Sequence, residues 1–84
     1  MNLVAFPNPA DEALNIQVPE VLENGELSIV NLTGKTIRSM KLEKITPEEV
    51  LQVNLKAIPA GLYLIKIITE SKMYTTRFVI VKSQ

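Results

Sequence analysis

The fold of this 84-residue chain depends on the stretch LKAIPAGLYLIKII, residues 55–68. Pro59 and Gly61 interrupt the chain, and the apolar run after them is typical of a turn that leads into a strand. Side chains alternate between the two faces of a strand, and both faces would be apolar here, apart from Lys66. We therefore expect a central strand with neighbours on both sides and apolar cover above and below.

Six further segments carry strand patterns, with turn signals between them: residues 3–6, 13–18, 26–32, 36–42, 51–55 and 73–82. Residues 78–81 would promote aggregation on an open edge, so we expect the last segment to pair with the strand that begins at Gly61. The pattern predicts an all-β, immunoglobulin-like β-sandwich of about seven short antiparallel strands. A small barrel is the alternative architecture.

Two turns are predicted in the first third of the chain. Pro7-Asn8-Pro9 stops the first strand, because proline cannot donate to a ladder, and Asn8 is suited to cap the short turn over residues 9–12. A structural turn is favoured over a contact site for this motif. Asn24-Gly25 is a strong turn pair and predicts a reversal just before the strand at 26–32.

Two more turns are predicted in the middle of the chain. Residues 31–35 form a tight hairpin connection, in which Gly34 would supply a positive φ. Thr46, Pro47 and Glu49 have the spacing of a capping box, so a short helix through Leu51 competes with the strand interpretation there. A long helix is rejected, because the pattern beyond Glu49 has period two.

Composition excludes several classes of function. The nine basic and nine acidic side chains cancel, so no charge excess points to nucleic acid or to an anionic membrane. The absence of cysteine and histidine removes disulfides, thiol chemistry, imidazole catalysis and the common zinc sites. No apolar run approaches the roughly 20 residues that span a bilayer. The length predicts one small domain.

Residues that could carry chemistry are few. The adjacent carboxylates at residues 11–12 and 48–49 lie in predicted turns, where a structural role is far commoner than acid–base catalysis. The serines have no histidine to activate them, and the three glycines are scattered rather than grouped in a phosphate loop. We therefore predict no catalytic, cofactor or metal site, and expect a domain that acts by binding or by being recognised.

Taken in order, four segments resemble a known family, the C-terminal sorting domain of type IX secretion cargo from Bacteroidota. The segments are FPNPA at 6–10 with the alternating LNI at 14–16, IVNLTGK at 29–35, LKAIPAGLYLIKI at 55–67, and TRFVI at 76–80. The likeness extends over residues 4–82. Each motif is common by itself, whereas the order and spacing of all four are specific.

The resemblance implies a function without catalysis. Members of the family form the C-terminus of large exported proteins that reach the periplasm through an N-terminal signal peptide. The outer-membrane translocon then recognises the folded domain, and a sortase-like peptidase commonly removes it and attaches the cargo to the surface, or the cargo is released. Residues 1–84 are thus expected to be a single sorting domain excised from a larger secreted or cell-surface protein, without inserting into the membrane.

The motif match also implies a set of recognition residues: Pro7, Asn8, Pro9, Gly34, Gly61, Tyr63, Lys72, Arg77 and Lys82. For the two glycines, backbone conformation is the favoured explanation. Tyr63 fits equally a core ring with its hydroxyl at the sandwich edge or a presented surface. The three cations are candidates for direct recognition by an acidic groove or a partner sheet, and the alternative is a solvated, edge-protecting set.

The chain departs from the family pattern twice. Arg77 stands where lysine is usual, and the turn at residues 70–72 lacks the frequent glycine. A receptor that fits a compact ammonium would distinguish arginine from lysine. The alternative function is an accessory immunoglobulin-like module that binds carbohydrate or protein for a secreted enzyme. Such modules usually expose an aromatic platform, and this chain has only two tyrosines and two phenylalanines.

Overall fold

The structure is a computed structural model that describes residues 2–82, and within that range it contains seven strands and no helix. The strands are β1 (Val4–Phe6), β2 (Ala13–Gln17), β3 (Leu22–Val30), β4 (Thr36–Ile45), β5 (Leu51–Asn54), β6 (Gly61–Ile68) and β7 (Met73–Ile80). The prediction of an all-β chain of seven short strands is confirmed.

The strands form two sheets that pack face to face. One sheet has the order β1-β2-β5 and the other the order β4-β3-β6-β7, and every pair of neighbouring strands is antiparallel. The arrangement is an immunoglobulin-like sandwich rather than a closed barrel. The predicted pairing of the last strand with the strand from Gly61 is confirmed, because β7 pairs with β6 along its whole length.

The core lies between the sheets and is entirely apolar. Strand alternation places one face of each strand inward, as the periodicity of residues 14, 16 and 18 predicts. The fully buried large side chains are Leu14, Ile16, Leu27, Ile29, Leu55, Ile58, Ile65, Ile67, Phe78 and Ile80. No polar side chain is buried among the described residues. The sandwich is therefore stabilised mainly by burial of aliphatic groups, each worth roughly 1.5–3 kcal/mol.

The predicted turn at Asn24-Gly25 is wrong. Both residues lie inside β3, and the ladder to β4 continues past them to the pair Leu22–Ile45, whose side chains are buried. Asn24 adopts a φ of 55° within the strand. Gly25 lies against the backbone of Ile68, since an added Cβ there would approach the carbonyl oxygen to 3.1 Å. Long-range pairing and burial of the ribbon end thus override the local turn preference.

The short helix considered through Leu51 is also wrong. One of the two capping-box contacts forms, because the Thr46 N–H donates to Glu49 Oε1 at 3.0 Å. The Glu49 N–H donates to the Thr46 backbone carbonyl, also at 3.0 Å, rather than to the Thr46 side chain. They close a single turn and the chain then enters β5, where Leu51 and Val53 pair with β2. Period-two alternation at residues 51–54 therefore decides the conformation.

The expectation of apolar cover on both faces of the central strand is wrong as well. Tyr63, Ile65 and Ile67 of β6 face the core, and the three-stranded sheet covers them. The opposite, outer face carries Leu62 and Ile68, which are 37% and 43% exposed. The four-stranded sheet thus keeps an apolar strand face turned towards solvent.

Candidate recognition surface

The Pro7-Asn8-Pro9 motif holds the last strand. Asn8 Oδ1 accepts a hydrogen bond from the Val79 N–H at 3.0 Å, a contact with the last strand that the sequence did not reveal. The next residue but one continues the contact: the Ala10 N–H donates to the Val79 carbonyl and the Val81 N–H donates to the Ala10 carbonyl, each at 2.8 Å. We call residues 7–10 the N-terminal clasp. It covers the outer edge of β7 from Val79 onward.

Lys82 adds a second tie at the same end of β7. Its Nζ donates to the Asp11 carbonyl at 3.1 Å and to the Leu55 carbonyl at 3.3 Å, and so joins the end of the chain's last strand to the segments that flank β2 and β5. Lys82 was predicted as an exposed recognition cation. It is exposed, yet its ammonium group has backbone partners.

Tyr63 is a core residue whose hydroxyl reaches the edge of the sandwich. The residue is 7% exposed, and its ring lies 5.9 Å from the Phe78 ring. The hydroxyl donates to the Pro59 carbonyl at 2.7 Å, which ties the turn before β6 to the strand. This bond resembles the tyrosine corner of immunoglobulin-like sandwiches. Of the two readings of Tyr63, the geometry supports the core ring.

The two motif glycines take backbone conformations that side chains disfavour. Gly34 has a φ of 91° in the β3–β4 turn, which confirms the positive φ predicted there. Its partner in that turn is Asn31, whose Oδ1 accepts hydrogen bonds from the Thr33 and Lys35 N–H groups. Gly61 has a φ of 156°, and the Tyr63 ring would lie 3.5 Å from a Cβ added to it.

Lys72 is engaged in an ion pair. Its Nζ lies 2.5 Å from Glu20 Oε1, and the Tyr74 hydroxyl donates to the other oxygen of the same carboxylate. These hydrogen bonds, chiefly that from Lys72, hold the pKa of Glu20 below its ordinary value of 4.5. In turn, the bond to Glu20 raises the pKa of Lys72 above 10.5 and that of Tyr74 above 10.0. The cluster fixes the β6–β7 turn against the segment between β2 and β3.

Arg77 differs from the other two predicted cations. It is exposed on the outer face of β7, directly opposite Leu64 of β6. The ion pair of Lys72 with Glu20 is the only one within residues 2–82. Arg77 therefore presents its charge to solvent on the sheet face that nothing in the described chain covers.

Arg38 is a structural residue that the sequence did not reveal. It lies on β4, at one edge of the larger sheet, and its guanidinium donates to the Asn54 carbonyl and, at 3.0 Å, to the Lys56 carbonyl. Asn54 is the last residue of β5, an edge strand of the smaller sheet, and Lys56 follows it by two residues. Arg38 thus bridges the two sheets on the side opposite the N-terminal clasp. An isolated arginine in an alternating strand carries no local signal of this role.

Two shallow depressions can be described on the surface of residues 2–82. The larger, about 510 Å³, is lined by the β3–β4 ribbon around Gly25 and by Ile68 and Thr69. The smaller, about 230 Å³, lies beside the Glu20–Lys72 pair. Within residues 2–82, no cluster of acidic side chains has the geometry to hold a metal ion, and no helix is available to cross a bilayer.

The fold and these ties define a class: a small all-β sandwich whose first turn and last strand are fastened together. The family model described as the secretion system C-terminal sorting domain matches residues 4–82, so the chain belongs to this family, which serves type IX secretion. A search of curated proteins finds none that matches. Membership implies interaction with the type IX secretion machinery and a secreted or cell-surface cargo protein.

Proposed function

We propose that this domain directs a cargo protein, attached at its N-terminal side, through the type IX translocon and across the outer membrane. The family match over residues 4–82 is the observation that carries the proposal. In this proposal the cargo reaches the periplasm first, the translocon components recognise the folded domain, and a sortase-like peptidase then removes it. The cargo ends on the cell surface or in the medium, and residues 1–84 are the sorting domain of that larger protein.

The domain works without catalysis in this proposal. Its family is generally non-catalytic, and the depressions that its carboxylates line are shallow and open to solvent. The alternative, a carbohydrate-binding or protein-binding accessory module, lacks the platform that it needs. Tyr63 and Phe78 are in the core, the Tyr74 hydroxyl is bonded to Glu20, and Phe6 alone is left at the surface.

The motif residues have two roles in the proposal. Pro7, Asn8, Pro9, Lys82 and the Tyr63 hydroxyl stabilise the sandwich around β6 and β7, so that the machinery meets a defined surface. Gly34 and Gly61 supply turn conformations for the same purpose, and Lys72 fixes the turn before β7 through Glu20. Arg77 is the motif cation left to contact the machinery directly.

The test is an export assay. A fluorescent passenger with an N-terminal signal peptide is fused to residues 1–84 and expressed in a Bacteroidota strain with a working type IX system, and passenger outside the cell is compared with passenger in the periplasm. We expect export of the full fusion and periplasmic retention when residues 72–84 are removed. Retention of the full fusion, in cells that export their own cargo, would overturn the proposal.

The export assay needs a control that does not depend on truncation of the domain. Removing residues 72–84 takes Phe78 and Ile80 out of the core, so the truncated domain fails to fold. The same fusion in a strain with a disrupted type IX translocon therefore serves as the second arm. Export that continues in that strain would show another route and would also count against the proposal.

A further inference from the structure

The outer face of β6 and β7 keeps apolar side chains that no other segment of residues 2–82 covers, among them Leu62 and Ile68. Residues of β6 on this face are Leu62, Leu64, Lys66 and Ile68, where a sheet with one solvated face normally carries polar side chains. In β7 the residues opposite the first two are Val79 and Arg77. We call Leu62, Leu64, Lys66, Arg77 and Val79 the outer patch.

The apolar part of the outer patch is continuous across strands. Leu62 lies opposite Val79, and Leu64 lies opposite both Arg77 of β7 and Val30 of β3. Val30 is buried but is not part of the core between the sheets, so it packs on this outer side. The three strands thus share one small apolar cluster outside the core.

The charges of the outer patch have one sign and are not neutralised. Lys66 lies opposite Thr75, and Arg77 lies opposite Leu64. The two cationic residues are therefore diagonal neighbours in the sheet, with their Cα atoms roughly 7–8 Å apart. Neither takes part in the single ion pair found in residues 2–82. Glu26 lies on the same face, opposite Lys41 of β4 and Ile68 of β6, and it forms no ion pair with either patch cation.

We propose that the outer patch is the surface by which the domain docks on a protein of the secretion machinery, one that presents an apolar area flanked by carboxylates. The inference rests on the proposed function and adds the face and the chemistry of the partner. Complementary charge at the rim of an apolar contact speeds encounter and fixes register. The outer patch supplies both an apolar contact area and cations beside it, from the adjacent strands β6 and β7.

Two other occupants fit the patch less well. Two cations on a chain of zero net charge are fewer than the four to eight that attract a protein to anionic lipid. A second copy of the domain, docked symmetrically on the patch, would bring Lys66 and Arg77 against the same residues of its twin. A protein surface with carboxylates is the occupant that neutralises the cations.

The test compares export of the unsubstituted passenger fusion with export of four variants, each with one or two substitutions. The patch variants are Lys66→Glu with Arg77→Glu, and Leu62→Asp; the matched controls are Lys35→Glu with Lys56→Glu, and Val50→Asp, all at exposed positions elsewhere. We expect about tenfold less passenger outside the cell for the patch variants, as loss of an interfacial contact produces. The control variants should be exported like the parent.

Each result decides one of the two proposals. Retention of the unsubstituted fusion overturns the proposed function, whereas export of the parent and of the patch variants at equal levels overturns the patch alone. Thermal unfolding of the purified domains shows whether each variant is folded. If the variant Lys66→Glu with Arg77→Glu does not fold, the variant Lys66→Gln with Arg77→Gln is used in its place. Two further results would also overturn the inference. The first is that the domain binds phosphatidylglycerol vesicles and the patch substitutions abolish this binding. The second is that the domain dimerises in sedimentation and the patch substitutions abolish the dimer.

Discussion

Asn8 accepts a hydrogen bond from the backbone N–H of Val79, 71 residues later in the chain. The Asn8 side-chain oxygen thus accepts the hydrogen bond that a carbonyl of a neighbouring strand would otherwise accept. Two residues after Asn8, the backbone of Ala10 forms a parallel bridge with Ile80. An amide side chain therefore covers part of the open edge of β7, an edge that would otherwise be available to other strands.

Removing this amide should weaken the domain. Asn8→Ala leaves the Val79 N–H without its partner, and we expect a loss of about 0.5–1.5 kcal/mol in the free energy of unfolding, measured with urea. Gln52→Ala is the matched control, because Gln52 is an exposed amide on β5. Equal stability of Asn8→Ala and the parent would show that the contact does not stabilise the fold.

Arg38 should matter more than an ordinary surface cation. Arg38→Met keeps the aliphatic stem but removes the hydrogen bonds to the Asn54 and Lys56 carbonyls, and we expect a loss of about 1–2 kcal/mol in the free energy of unfolding. Amide hydrogen exchange should quicken in β5 more than in β6, since the bridge between the sheets is released. Lys41→Met, an exposed cation on the same strand, is expected to change neither quantity.

The Glu20 cluster gives the domain a defined pH dependence. Because the pKa of Glu20 is lowered in the folded state, its stabilisation is complete above its ordinary value of 4.5 and is lost as the pH falls through the lowered value. Lys72 and Tyr74 have raised pKa values, so their contribution is complete below 10.0 and is lost as the pH rises through those raised values.

The measurement is the melting temperature of the parent and of Glu20→Gln across this pH range. We expect the parent to be the more stable at neutral pH and the difference to shrink in acid, with a modest size because the pair is largely exposed. Glu70→Gln, in the neighbouring turn, controls for a simple change of net charge. A difference between parent and Glu20→Gln that stays constant into acid would contradict the assignment.

Two turn residues should respond to substitution in opposite directions. Gly34 has a φ of 91° with no atom within 4 Å of an added Cβ, so Gly34→Ala should cost about 1–2 kcal/mol through backbone strain alone. Ala57 has a φ of 69°, and Ala57→Gly should relieve strain and gain about 0.5 kcal/mol. Urea unfolding checks both, and losses of the same sign at both sites would refute the strain argument.

The elements that sequence predicts well are those decided by local periodicity. Alternation at residues 14–18 and 62–67 identifies two strands and their buried faces, and Gly34 marks its own turn through a conformation that other residues disfavour. The order of strands and turns predicts the sandwich. These features need no knowledge of distant contacts.

The candidate site depends on distant contacts and could be predicted only in part. The motif residues are identified by resemblance, but their partners are not: Lys72 meets Glu20, 52 residues away, and Arg38 meets two carbonyls rather than side chains. Asn24-Gly25 failed as a turn for the same reason, since pairing with β4 outweighs the local preference. The uncovered outer face likewise becomes visible only once the layers are known.

The N-terminal clasp makes closure of the sandwich depend on the presence of β7. Asn8 and Asp11 leave the ribosome before their partners Val79 and Lys82, which follow 71 residues later in each case, and these contacts form only when both groups are present. Contacts so far apart in sequence also form late in folding. A polypeptide that stops before β7 lacks these closing contacts and also Arg77 and Val79 of the outer patch, so it has neither the stabilised sandwich nor the complete surface.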